Sequence, residues 1–378
     1  MPSATPTLSA LPLRLADFDT LASALDYAAQ GESGANFYAG NGKLATVLPY
    51  KTLRNQAQTL AKRLLSFPLE RGARVAIVAE TNPDFLRFFF ACQYAGLVPV
   101  ALPAVIHVGG HKAYVNQLNG LLKGCRASLA VSSSQLLPFL TEAAEGLGLQ
   151  FVNAASAFDE LPLKDITLQP SGPNETAYLQ YTSGSTGFPR GVIITQESVM
   201  ANLLASGHGL DVRVDDRLVS WLPFYHDMGL VGCLLAPMAS QRSIDYLDTR
   251  DFAMRPRRWL ELLSSSRGTI SFSPPFGYAL CVRRLRPEDI AQYDLSAWRV
   301  AGIGAEPIHL ELTDRFCELL APAGFKATSF VPSYGMAETS LALSFAPLGT
   351  GVVVDWLDGD DLADNLVATS CRWRSSKA

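Results

Sequence analysis

The chain has 378 residues, enough for two or three compact units at roughly 100–200 residues each. Hydrophobic residues make up 48% and charged residues 17%, too apolar a balance for a disordered chain. The formal net charge of −4 argues against nucleic-acid binding, which needs clustered Lys and Arg.

Six cysteines (Cys92, Cys125, Cys233, Cys281, Cys317, Cys371) are scattered without a CxxC pair, as expected in a reducing compartment. The first twenty residues lack the basic start and apolar core of a signal peptide. Apolar runs such as 97–102 fall far short of the ~20 residues that span a bilayer. No integral membrane segment is expected, and a cytoplasmic location is.

From about Lys51, helix-period and short apolar segments alternate. Leu53, Ala57, Leu60, Ala61 and Leu64 recur at helical spacing and predict an amphipathic helix. Gly72 precedes an apolar run at 74–79 that suits a buried parallel strand. Asn82 and Pro83 open the next helix, with Phe85, Phe88, Phe89 and Cys92 on one side. Gly96 ends it, and a strand follows at 98–102. A helix at 112–124, a strand at 128–131, a helix at 136–147 and a strand at 151–152 come next.

The stretch 161–175 is polar, holds three prolines and a glycine, and is the expected connection between two lobes. Beyond it, strands are expected near 176–181, 191–195, 217–222, 243–248, 269–273, 298–303 and 328–333. Helices are expected at 197–206, 229–238, 257–265, 275–285 and 309–321. Strand, helix and strand repeating at this spacing mean right-handed βαβ units, hence an α/β fold with doubly wound parallel sheets.

Residues 181–192 read YTSGSTGFPRGV and lie between two expected strands. Gly184 and Gly187 let the backbone approach a ligand closely, and consecutive N–H groups form an anion-binding nest. Thr182, Ser183, Ser185 and Thr186 add hydroxyl donors. Arg190 adds a fixed charge that can fork onto phosphate oxygens. This is a device for holding a polyphosphate, yet no Walker loop, because GxxxxGK[ST] is absent. An ordinary Ser/Gly-rich surface loop is the plainer alternative, which twelve residues in this order disfavour.

The loop resembles the phosphate loop of the adenylate-forming, acyl-activating enzyme superfamily, with Arg190 where that family usually has Lys. Segments 222–232 (LPFYHDMGLVG), 302–308 (GIGAEPI) and 331–339 (VPSYGMAET) follow in order. They resemble the family's acyl-pocket, adenine-contacting and Mg²⁺-binding motifs, and the resemblance covers roughly residues 20–350. It implies ATP and Mg²⁺ as cofactors. Tyr334 offers a flat face for a purine, flanked by Ser333 and Met336, and Gly335 permits close backbone approach.

Glu338 is a lone carboxylate beside the phosphate site, and Mg²⁺ on ATP keeps only one or two protein carboxylates. The resemblance gives Glu338 and Thr186 metal-binding and catalytic roles; a surface Glu in a first helical turn is the plainer reading. Gly304, Ala305 and Glu306 close a strand, where ligands bind in open α/β folds, and by resemblance line the adenine. Glu306 is alternatively only structural. His226, Asp227, Met228 and Gly229 are expected by resemblance at the inner end of an acyl tunnel, with His226 near the reacting carboxylate. A satisfied structural histidine is the plainer alternative. No ligand spacing suggests Zn²⁺, and no GxSxG elbow suggests a hydrolase.

Residues 225–229 (YHDMG), 179–181, 333–338 and 89–96 most resemble fatty acyl-AMP ligases, which activate a fatty acid as acyl-AMP and pass it to an acyl carrier protein. A fatty acyl-CoA ligase is the alternative, and a catalytically impaired nucleotide- or lipid-binding fragment is a third. The division expected is 1–45 as an N-terminal segment, 46–170 as a first α/β subdomain, 171–350 as a second carrying the ATP-binding motifs, and 351–378 as a divergent tail. The family's barrel-like subdomain and small C-terminal domain, with their ribose-binding aspartate and bridging lysine, are not recognisable. The tail at 372–378 (RWRSSKA) reads as a truncation or frameshift.

Overall fold

The structure is a computed structural model that describes residues 11–104, 110–182 and 189–355. In chain order its strands are β1 (Gly34–Tyr38), β2 (Leu44–Pro49), β3 (Arg74–Val78), β4 (Val98–Leu102), β5 (Ala127–Ser132), β6 (Phe151–Ala154) and β7 (Thr176–Tyr181). They continue with β8 (Gly191–Thr195), β9 (Arg217–Ser220), β10 (Ser243–Leu247), β11 (Ile270–Ser273), β12 (Val300–Gly304), β13 (Phe330–Gly335) and β14 (Ala342–Phe345). One sheet has six strands in the order β6-β5-β3-β4-β7-β8, the other eight in the order β14-β13-β12-β11-β9-β10-β1-β2.

Both sheets are parallel in their interiors; the eight-stranded sheet ends on antiparallel pairs at both edges, β1 with β2 and β13 with β14, and the six-stranded sheet at one, β7 with β8. The fold is therefore α/β with two parallel-dominated sheets, as the strand–helix alternation predicts, and the antiparallel edges were not legible. Local chemistry accounts for the elements. The helix Tyr50–Leu64 buries Leu53, Ala57, Leu60, Ala61 and Leu64, the stripe its periodicity predicts. In the helix Pro83–Ala95, the Asn82 carboxamide oxygen accepts from the Phe85 N–H at 3.1 Å. That helix stops at Gly96, which takes the left-handed φ of +67° that a side chain would resist.

Successive residues of β3 serve two cores. Val75 and Ile77 join a large cluster that runs between the sheets, through Ala177, Leu218 and Val300. Ala76 and Val78 join a smaller cluster with Leu118, Leu122 and Leu140 on the outer face. A strand covered on both faces reads as a continuous apolar run, as 75–79 does after the exposed Arg74.

Strand pairing and helix type add what the sequence pattern did not show. The division expected after residue 170 does not coincide with the change of sheet, because β7 and β8 complete the six-stranded sheet and β4 pairs with β7 through Val100 and Leu179. Within the expected N-terminal segment, β1 pairs in parallel with β10, Ala35 opposite Ile244. The helix expected at 229–238 is a π-helix, Met228–Leu235, followed by a short helix, Ala236–Ala239. Strand pairing over some two hundred residues leaves no local mark, so the sequence pattern could not assign these strands to sheets. Among the described residues no helix is long and apolar enough to cross a membrane.

Candidate functional site

The carboxyl ends of β7, β12 and β13, the start of the π-helix and the turn before β14 surround a cavity of about 380 Å³. Its lining is of two kinds. Gln180, Thr182, His226, Asp227, Ser333 and Glu338 supply polar groups, whereas Leu203, Leu210, Val231, Phe272, Leu341 and Phe345 supply an apolar wall.

The β7–β8 hairpin carries the phosphate-loop candidate. The Thr182 N–H donates to the Arg190 carbonyl at 3.0 Å and closes the neck of that loop. Ser183, Gly184, Ser185, Thr186 and Gly187 lie outside the described residues. Arg190 is exposed at the foot of β8 and is not part of the cavity lining.

Gln180, two residues before the neck, is 2% exposed. Its Nε2 donates to the Tyr225 carbonyl at 2.8 Å, which fastens the six-stranded sheet to the segment ahead of His226. Its Oε1 is buried and has no partner among the described residues. A buried acceptor without a donor costs free energy, and in a cavity wall it is a ready partner for a ligand N–H or O–H.

His226 and Asp227 form one unit. The His226 Nδ1 lies 2.7 Å from Asp227 Oδ1, and the same oxygen accepts from the Met228 N–H at 2.7 Å, capping the π-helix. Burial pulls the His226 pKa down; the hydrogen bond and charge of Asp227 push it up and prevail, leaving it above its ordinary value. With Nδ1 engaged, the second ring nitrogen is the one left for a ligand. The side chain keeps 49% exposure, so the unit is reachable. Met228 lines the cavity beside it. Gly229 does not: a Cβ there would lie 2.1 Å from the Pro223 carbonyl oxygen, so this glycine lets the π-helix pack on the preceding chain.

A third group lies around β12 and β13. A Cβ on Gly304 would lie 2.2 Å from the Ser333 carbonyl oxygen. Ala305 follows at a φ of +67°, and both residues line the cavity. Glu306 points to solvent and does not. Tyr334 lines the cavity with its side chain 64% exposed, as a ring available for stacking must be. Met336 lines it too, its N–H donating to the Leu341 carbonyl at 2.8 Å.

The turn that bears Glu338 is held from outside by Asn202, on the helix Gln196–Gly209. Asn202 Nδ2 donates to the Thr339 carbonyl at 3.0 Å and the Ala342 carbonyl at 2.8 Å, and its Oδ1 accepts from the Ala342 N–H at 3.3 Å. Glu338 is exposed, and no three His, Cys, Asp or Glu side chains converge among the described residues. That donor set fits a Mg²⁺ ion brought in by a polyphosphate, which needs one or two carboxylates and keeps waters and phosphate oxygens.

The expected site residues therefore fall into three classes. Thr182, His226, Asp227, Met228, Gly304, Ala305, Ser333, Tyr334, Gly335, Met336 and Glu338 surround one cavity. Arg190, Gly229 and Glu306 stand apart from its lining, and residues 183–187 are outside the described residues. Sequence reasoning missed Gln180, Asn202 and Phe272 as site residues. Gln180 left a signal, being a lone amide in the otherwise apolar run AYLQY; the other two left none.

Comparison with known proteins gives a consistent picture. The family description AMP-binding enzyme matches residues 27–362. A protein of Caulobacter vibrioides, provisionally named an acyl-CoA synthetase, is 43% identical over 99% of this chain and 65% of its own length. The medium-chain-fatty-acid–[acyl-carrier-protein] ligase JamA of Moorena producens is 31% identical over 93% of this chain and 60% of its own. A solved structure from a study of fatty acyl-adenylate ligases of E. coli and L. pneumophila superimposes with a TM-score of 0.91 at 52% identity. That match covers 93% of this chain and 63% of the solved one, so the chain spans less than two thirds of the length of each of these three proteins. The chain belongs to the AMP-binding enzyme family.

Proposed function

We propose that this chain supplies the nucleotide- and acyl-binding part of a cytoplasmic fatty acyl-AMP ligase. A fatty acid carboxylate attacks the α-phosphate of ATP, the carboxyl oxygen–phosphorus bond forms, the bond to the β-phosphate side breaks, and pyrophosphate leaves. The acyl group then passes to an acyl carrier protein. The observation that carries this reading is the two-sided cavity, with nucleotide-type contacts at Thr182, Ser333, Tyr334 and Glu338 and an apolar wall at Leu203, Val231, Phe272 and Leu341. Such a reaction brings an anion against an anion, so catalysis is mainly positioning and charge neutralisation. Arg190 and loop N–H groups would take up phosphate charge, with Mg²⁺ held at Glu338 and Thr186. His226, oriented by Asp227, would face the carboxylate.

Titration calorimetry with a non-hydrolysable Mg·ATP analogue and dodecanoate tests both halves of the reading, with acyl-AMP sought by mass spectrometry when ATP replaces the analogue. Binding of both ligands to one site is expected. Failure of either to bind would overturn the proposal. The acyl-CoA ligase reading is kept alive by the similarity to the Caulobacter protein. Offering CoA and a carrier protein side by side, and seeing which thioester forms, separates the two.

A further inference from the structure

We infer that the ring of Phe272 is a partition across the acyl site, separating two chambers and fixing the longest chain accepted; this rests on the fatty-acid reading above. Next to the main cavity lies a second one of about 30 Å³, lined by Leu210, Val212, Leu218, Ile270, Phe272 and Arg242 among others. The two share walls at Ser206, Leu210, Gly232, Ala236 and Phe272. Of these, Phe272 carries the largest side chain, and it stands next to last on β11.

Its placement follows from the neighbouring strand. Phe272 pairs with Gly302 of β12, and a Cβ on Gly302 would lie 2.0 Å from the Phe272 ring. The bare glycine lets the ring lie flat over the sheet. Its packing is not aromatic: Trp221, Trp259, Tyr278 and Trp298 form a continuous aromatic network, whereas Phe272, though buried, stacks on no ring among the described residues. The wall of the second chamber includes Arg242, whose guanidinium donates to the Ser240 carbonyl at 3.0 Å and to the Val214 carbonyl. An alkyl chain gains nothing by pressing on a hydrogen-bonded cation, so the passage ends there.

The small chamber holds about two or three water-sized groups at roughly 10–15 Å³ each. With the ring in place those positions are closed to the chain. With the ring gone they join the main cavity, together with the space it filled.

The experiment measures binding of saturated fatty acids from hexanoate to stearate, with the Mg·ATP analogue present, below their micellar concentrations. Each buried methylene should tighten binding about fourfold until the passage ends, where the series flattens. In Phe272→Ala the flattening should come at least two carbons later. Phe272→Leu, a gentler change, should move it in the same direction by less, and it serves if the alanine variant melts early. Gly232→Ala adds a methyl at the shared wall, 3.1 Å from a terminal carbon of Leu341, and should bring the flattening to shorter chains. Flattening at the same length in the wild type and both Phe272 variants would overturn the partition and leave the fatty-acid reading standing. Wild-type protein that binds no fatty acid at any length would overturn that reading, and the partition with it.

Discussion

The three hydrogen bonds of Asn202 make the Glu338 turn testable without touching any group placed against a ligand. Two are donated to the Thr339 and Ala342 carbonyls and one is accepted from the Ala342 N–H, so they bracket Ser340 and follow Glu338 directly. Ser340 sits at a φ of +70°, a conformation an L-residue holds only under constraint. At about 1 kcal/mol net for each good bond, Asn202→Ala should cost about 2–3 kcal/mol, lowering the melting temperature by a few degrees. The freed turn then spends only a fraction of its time in the held geometry, and apparent affinity falls by that fraction. A tenfold or greater weakening of Mg·ATP is expected, with AMP in the absence of Mg²⁺ affected less. Asn202→Asp should be at least as damaging, because a carboxylate would face two carbonyl oxygens. Calorimetry and thermal melting on the three proteins decide the matter. A lower melting temperature with unchanged Mg·ATP affinity would refute the reasoning, for Asn202 would then join helix to strand and nothing more.

Two further outcomes are expected. Arg190→Ala should weaken Mg·ATP by about 1.5–3 kcal/mol, or ~10- to 150-fold, if its guanidinium reaches the phosphates, while equal affinities by calorimetry would remove it from the site. Asp227→Asn keeps an oxygen for the Met228 N–H but removes the charge that raises the His226 pKa. A pKa raised on folding contributes stability that is whole below the unfolded value and fades as pH rises through the folded one. The wild type should therefore lose its advantage over the variant as pH rises above the ordinary histidine value of about 6.5, and the His226 ring signals should titrate lower in the variant. An unchanged titration curve would show that Asp227 does not set it.

How much of this was legible depends on whether the cause was local. The helix Tyr50–Leu64 and the strands β7 and β8 were readable because periodicity and apolar runs report burial directly. Strand β2 was not, since it is an edge strand with four consecutive exposed residues and no alternation. The glycines are the instructive case. In sequence, Gly304 and Gly335 read as places where backbone meets a ligand, and Gly229 as part of an acyl-pocket motif. In the fold, a Cβ at each would meet the protein's own carbonyl oxygens, of Pro223, Ser333 and Leu341, at 2.0–2.2 Å. In each case the close approach that calls for glycine is of the chain to itself. Asn202 was illegible because its partners lie 137 and 140 residues away.

The same long-range pairing explains how one cavity acquires walls of unlike character. Parallel strands deliver their carboxyl ends to one edge, so β12 and β13 bring Gly304 and Ser333 side by side, paired in register. The six-stranded sheet contributes the other wall through β7, and the Gln180 bond to the Tyr225 carbonyl ties that wall to the His226–Asp227 unit. The π-helix starts on that unit and carries Val231 and Gly232 along the apolar side. A π-turn widens the helix by one residue per turn, which places Met228 and Val231 differently from the α-helix that the sequence predicts. On the proposed reading, this spacing sets where a carboxylate stops and an alkyl chain begins. The head group would meet the unit that caps the π-helix, and the chain would run along its buried face toward Phe272.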